Sequence, residues 1–408
     1  MKEKHLEKIW TKNFVSISLT QFLVFTVFYT LLTTLPIYVI NQLGESQSNA
    51  GLVVTSMLIA AILIRPFSAK ILDIVGMKKG LIISVILFTL TNFFYPWMNA
   101  FIPLLILRFI HGISFGVVST ATPAIAANII PKSRKGAGMG YFAMAMNLAI
   151  VAGPFIGLTL LQFVSFNTLF MILNIFMIIG VLFSFNVQFE EAPKVEQETS
   201  KLKLKLSDLI ELKALPVALI SGLVGFAYAT ILSFVSVYAE DIGLSSAASY
   251  FFLVFAVLMI ASRPYLGRAF DEKGPKFVLI PSLFVFAAGL ALLGFTTSAF
   301  VLLLSAGLIG LGYGSLLPGF QTMAIQTTSP HRGGHAISTF FIFYDIGIAS
   351  GAFVWGLISA NFGFKSMYLL GAILVVVTAL VFHMYLNRKE KRTEFKQAPA
   401  FQEVSDTK

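Results

Sequence analysis

The chain has 408 residues, 57% of them hydrophobic and only 12% charged, with a mean hydropathy of +0.85. A soluble domain has about a quarter of its residues charged, so a soluble globule is excluded and spans of about twenty apolar residues become the natural unit. The net charge of +10 does not mark a nucleic-acid binder, because the basic residues lie in short loops and tails rather than on one folded face.

The absence of cysteine excludes disulfides, zinc thiolates and iron–sulfur clusters. Lysines precede the first apolar run, which is too long for a signal peptide and has no small-residue cleavage site. It reads as a retained first span. Twelve spans follow from hydropathy, at 14–41, 49–72, 80–97, 101–130, 137–163, 166–187, 214–241, 247–270, 277–296, 298–328, 334–360 and 364–386. In lipid they must be helices, since the backbone has to satisfy its own polar groups. The predicted fold is therefore an all-α membrane protein of twelve transmembrane helices.

Lys and Arg set the orientation. Of 29 basic residues, 25 fall on the side that carries both termini and the middle loop. That places both termini in the cytoplasm, with the chain multi-pass in the plasma (inner) membrane. The expected organisation is a cytoplasmic N-terminal segment 1–13, a six-helix half 14–187, a cytoplasmic linker 188–213, a second six-helix half 214–386 and a cytoplasmic tail 387–408. The linker includes KLKLKLSDLIELK at 201–213, a candidate surface helix along anionic headgroups. The tail reads as disordered.

One stretch is written twice. RPFSAKILDIVGMKK begins at Arg65, and RPYLGRAFDEKGPK begins at Arg263. Arg65, Pro66, Asp73, Gly76 and Lys78 recur as Arg263, Pro264, Asp271, Gly274 and Lys276, always 198 positions on. Gly112, Gly116, Arg134, Gly136 and Gly153 recur at the same offset as Gly310, Gly314, Arg332, Gly334 and Gly351. Two pseudo-symmetric halves of one topology describe a parallel-repeat transporter, whose binding site lies between the halves near mid-membrane.

On these residues the chain resembles the major facilitator superfamily, and within it the 12-helix drug:proton antiporters. The loop after helix 2 is similar to the superfamily signature through Asp73, Gly76 and Lys78, with Ala69 and Met77 departing from it. Helix 4 resembles an antiporter pattern through Arg108, His111 and Gly112. Helix 5 resembles another through Gly153, Pro154 and Gly157, with Ala149 at its first glycine place. Helix 1 lacks the acidic residue that many such exporters have. The resemblance implies that Asp73 faces the start of helix 11 when the cytoplasmic side is closed, and the repeat suggests that Asp271 does so to helix 5. It also implies cavity residues from helices 1, 4, 7 and 10, among them Gln21, Phe25, Tyr29, Pro36, Tyr228, Ser236 and Gln321.

The residues themselves leave several choices open. Arg65 and Arg263 lie about 12 Å deeper than their aspartates. They either recognise an anionic group or snorkel and bond backbone freed by Pro66 and Pro264; the second reading is preferred because both halves carry them. Arg108, His111, Phe115, Ser119 and Thr122 share one helix face, which should meet a cavity or a partner rather than lipid. His111 is a candidate proton carrier or a hydrogen-bonded packing residue. Asp345 is the only acid well inside a span, and is either reversibly protonated or permanently paired with an arginine. Its repeat counterpart is the uncharged Asn147.

The expected function is proton-coupled efflux of small amphipathic or hydrophobic compounds by alternating access, with proton coupling at Asp345, Arg108 and His111. Arg65, Asp73, Gly76, Lys78, Arg263, Asp271, Gly274, Lys276, Arg134 and Arg332 form the expected gate. A metabolite, sugar or metallophore exporter, an uptake symporter and a non-transporting sensor are the alternatives. No nucleophile–base set, phosphate loop or metal cluster suggests an enzyme. The expected partners are a small-molecule substrate, protons and the lipid bilayer. The chain is expected to be monomeric, with no cofactor, metal or nucleic acid.

Overall fold

The computed structural model describes residues 8–131, 135–188, 210–328 and 333–397. The first half comprises α1 (Lys12–Asn41), α2 (Gln47–Val75), α3 (Met77–Phe93), α4 (Phe101–Ile129), α5 (Lys135–Leu161) and α6 (Phe166–Asn186). A single 3₁₀ turn, Tyr95–Trp97, follows α3. The second half comprises α7 (Leu215–Asp241), α8 (Ser245–Lys273), α9 (Pro275–Leu293), α10 (Ala299–Gln326) and the helical run Gly333–Gln397. Gly363, at φ 78°, breaks that run into α11 (333–362) and α12 (364–397). A side chain strains that left-handed geometry and glycine does not, so Gly363 supplies the turn between the last two spans.

Boundaries expected from hydropathy agree with these helices to within a few residues, except at the end of the chain. The tail expected to be disordered continues α12 as helix to Gln397. Residues 388–397 read RKEKRTEFKQ, a run mostly of helix-favouring side chains that prolongs a helix already nucleated in the membrane. Most of the middle loop, including 201–209, lies outside the described residues.

Within each half, the helices pack through glycine. A side chain on Gly112 of α4 would overlap the Met57 carbonyl of α2, and one on its repeat counterpart Gly310 of α10 would overlap the Phe255 carbonyl of α8. With no side chain between them the backbones meet directly, which favours association in lipid. Gly153 and Gly157 of α5 seat against Tyr29, Thr30 and Thr34 of α1. Pro154 cannot donate to the preceding turn, and Thr30 Oγ1 donates to the Gly153 carbonyl at 2.8 Å. The helix-5 motif is thus a tightly packed α1–α5 seam.

The halves meet through α2 with α11, α5 with α8, and α1 with α7. Several of these contacts lie toward the face opposite the termini, called here the far face. Asn41 Nδ2 donates to Glu240 Oε1 at 2.8 Å, and Gln162 Nε2 to Ser249 Oγ at 2.9 Å. Thr55 Oγ1 donates to the Ala349 carbonyl at 2.6 Å. Gly356 admits the backbone of Gln47 and Ser48.

Candidate functional site

The deepest link between the halves is ionic. Arg65 of α2 pairs with Asp345 of α11 through Nη1 and Oδ2. Asp345 lies roughly 18 Å along α11 from its start, and Arg65 roughly 15 Å from the end of α2 at the termini face. The contact is therefore near mid-membrane, where an unpaired charge is costly. Asp345 is 7% exposed as a residue, which leaves it inside the protein.

This corrects the preferred expectation for Arg65. Its guanidinium does not run to the interface or cap backbone freed by Pro66; it neutralises Asp345. Pairing also answers which arginine an acid in α11 meets. Arg108 is fully buried within the first half, donating from Nε to the Val53 carbonyl at 3.2 Å and from Nη1 to Tyr95 Oη at 3.3 Å. His111 Nδ1 lies 2.8 Å from the same Tyr95 hydroxyl, under the Phe88 ring at 3.9 Å between centroids. Arg108 and His111 therefore form a cluster of their own and do not join Asp345. Arg108 Nη2 and His111 Nε2 have no hydrogen-bond partner among the described residues.

Tyrosines surround the Arg65–Asp345 contact. Tyr29 is half-buried and close enough to feel both charges, and Tyr344 lies beside Asp345 in sequence and in space. Tyr344 and Tyr313 share a hydroxyl–hydroxyl hydrogen bond, and Tyr313 stacks on Tyr228 at 4.0 Å and 12°. The Tyr228 hydroxyl is buried without a partner among the described residues. Sequence reasoning missed Tyr313. The repeat offset carried the signal: Tyr313 is the counterpart of Phe115, which stacks on Phe28 at 4.0 Å and 3°.

Gln21 Oε1 accepts from Thr122 Oγ1 at 2.8 Å, and Phe25 packs edge-on against Phe115. Ser119 donates to the Gly116 carbonyl at 3.2 Å, and Ser236 is buried. Gln321 is half-buried. Pro36 is buried within α1.

Among the expected gate residues, Gly76 (φ 94°) and Gly274 (φ 83°) break the chain between α2 and α3 and between α8 and α9. Lys276 Nζ donates to Asn387 Oδ1 at 2.8 Å, and Lys78 is half-buried. Asp271 is exposed at the rim of a cavity of ≈ 230 Å³ between α8 and α10, which Arg263 also lines. The side chain of Asp73, together with Arg134 and Arg332, lies outside the described residues.

The profile of the Major Facilitator Superfamily matches residues 17–280 and again 245–405. The multidrug resistance protein MdtG of Klebsiella pneumoniae (strain 342) is 26% identical over 391 residues, covering 93% of this chain and 94% of that protein. Among solved structures, the nucleoside transporter NupG superposes with a TM-score of 0.72 at 17% identity, covering 92% of this chain and 99% of that one. A D-xylose-proton symporter superposes with a TM-score of 0.74 at 16% identity, covering 90% and 96%. The structural likenesses concern the fold.

Proposed function

Since the chain belongs to the Major Facilitator Superfamily, whose members here are transporters and not enzymes, we propose that it exports small amphipathic or hydrophobic molecules in exchange for protons. The observation that carries this reading is the Arg65–Asp345 ion pair between the halves. A charged Asp345 holds α11 to α2 through Arg65. Protonation removes the attraction and leaves Arg65 to find another partner, so the charge state of one carboxyl biases the packing of two rigid halves. Substrate binds in the gap between the halves, beside Tyr29 and the Tyr228–Tyr313–Tyr344 cluster, where aromatic walls suit apolar bodies.

Export, as opposed to import, is supported by the kinship with MdtG and by the helix-4 and helix-5 patterns. The charge asymmetry of the loops supports a cytoplasmic position for both termini. The halves, 14–187 and 214–386, are the moving bodies, and a single chain contains both. Arg108 and His111 are proposed as positioning residues for the α2–α4 seam, with proton traffic assigned to Asp345.

The test is flux in proteoliposomes with an imposed pH gradient, using a panel of fluorescent amphipathic compounds. Wild-type protein is expected to move at least one of them against its gradient. Asp345→Asn is expected to lose that uphill movement at least tenfold while still exchanging labelled for unlabelled compound. Gradient-independent transport by the wild type, or full uphill transport by Asp345→Asn, overturns the coupling role.

A further inference from the structure

The repeat is broken where charge matters most. Arg65 and Arg263 are counterparts, but among the described residues Arg65 faces an acid and Arg263 does not. The counterpart of Asp345 is Asn147, and α5 contains no Asp or Glu at all. Helix α8 also packs against α7, α9 and α10. Neither α9 nor α10 contains an acidic residue, and the acids of α7, Glu240 and Asp241, are at its far-face end. On α8 itself the acids are Asp271 and Glu272, two turns or more toward the termini face, roughly 12 Å from Arg263 along the helix.

Arg263 is nevertheless half-buried. Its Nε is buried with no hydrogen-bond partner among the described residues, and the side chain lines the ≈ 230 Å³ cavity between α8 and α10. Gly267 has open space beside it, and Ser315 and Thr322 bring hydroxyls to the cavity. Ser315 Oγ donates to Ser282 Oγ at 2.7 Å and Thr322 Oγ1 to the Pro318 carbonyl at 2.8 Å, so both hydroxyls retain acceptor capacity. A guanidinium at this depth, lining a cavity and without an acid beside it among the described residues, matches an anion in charge and a carboxylate or phosphate in the planar fork of its donors.

We propose that the α8–α10 cavity binds the anionic group of the transported molecule, a carboxylate or a phosphate, through Arg263. The proposal rests on reading the chain as a carrier, and narrows its cargo to amphipathic molecules with an acidic head. The apolar body extends toward the tyrosines between the halves. Asp271 at the rim disfavours a second negative charge nearer the termini face.

Benzoate, phenyl phosphate and the neutral isostere benzyl alcohol are the probes. The chain has no cysteine, so Thr322→Cys places the sole thiol in the cavity and Tyr265→Cys places it on an exposed part of α8. Benzoate or phenyl phosphate is expected to slow maleimide labelling at 322 at least fivefold and leave labelling at 265 unchanged, while benzyl alcohol slows neither. Thermal stabilisation of purified protein by the same two anions is expected to need at least tenfold more ligand in Arg263→Gln, with Arg263→Lys in between.

Equal labelling rates with and without the anions, or stabilisation of a folded Arg263→Gln within twofold of wild type, overturns the site. An anionic lipid headgroup offers the same chemistry. Protection at 322 by phosphatidylglycerol nanodiscs, absent in phosphatidylcholine and not displaced by benzoate, overturns the assignment to cargo. Loss of anion binding beside intact gradient-driven flux refutes this inference alone. Intact anion binding without gradient-driven flux refutes the proton-coupled reading alone.

Discussion

Arg65 and Asp345 are each unfavourable where they stand and acceptable together. The side chains are 15% and 10% exposed, so solvent screens part of the attraction, and breaking the pair from one side is expected to cost roughly 2–3 kcal/mol, below the range for fully buried pairs. Arg65→Gln and Asp345→Asn should each lower the unfolding midpoint in mild detergent, because each leaves one charge unmatched. Arg65→Gln with Asp345→Asn should recover at least half of the loss, as the second change removes the stranded charge. A double variant as unstable as the sum of the singles would show that the two residues act separately. The acid was legible in the sequence, as the lone Asp within a span, and so was the choice between a proton carrier and a paired post. Its partner was not. Three intramembrane arginines were available, and only the packing of α2 on α11 selects Arg65 over Arg108.

At the scale of the helix, small residues decide which surfaces touch. Gly112 and Gly310 hold α4 on α2 and α10 on α8, and in both places a β-carbon would overlap a backbone carbonyl, which cannot rotate away. Gly112→Ala and Gly310→Ala are each expected to destabilise by about 1–3 kcal/mol, the usual range for overpacking. Thermal unfolding in detergent measures this, with Gly44→Ala as a control for a glycine that has open space around it but a strained φ of 67°. Both packing glycines were visible as a pair 198 residues apart. Helix boundaries were equally legible, because twenty apolar residues between polar turns leave little choice in lipid. The extension of α12 to Gln397 was not, since charge-rich composition argues for disorder while a helix already formed in the membrane continues into any sequence of good helix formers. Tyr313 shows the same limit at a single position: the repeat points to it, yet stacking on Tyr228 depends on how α7 and α10 meet.

For the whole molecule, the arrangement of contacts between the halves makes a directional statement. Asn41–Glu240, Gln162–Ser249 and Thr55–Ala349 tie the halves near the far face, and the Arg65–Asp345 pair is the deepest of these links. The cavity at Arg263 runs to the rim marked by exposed Asp271 near the termini face. Halves tied, among the described residues, by bonds running from mid-depth to the far face have a simple alternative state, in which those far-face bonds part. Transport by alternating access requires passage through that state, so fixing the far-face bonds covalently must stop it. With no native cysteine, Gln162→Cys and Ser249→Cys provide the only thiols, at positions already within hydrogen-bonding reach of each other. A short, reducible bifunctional thiol reagent is expected to reduce gradient-driven flux at least tenfold in the double variant and in neither single variant, with recovery on reduction. Undiminished flux through cross-linked protein would mean that this face never opens. The fold would then be working by a path that does not run between its halves.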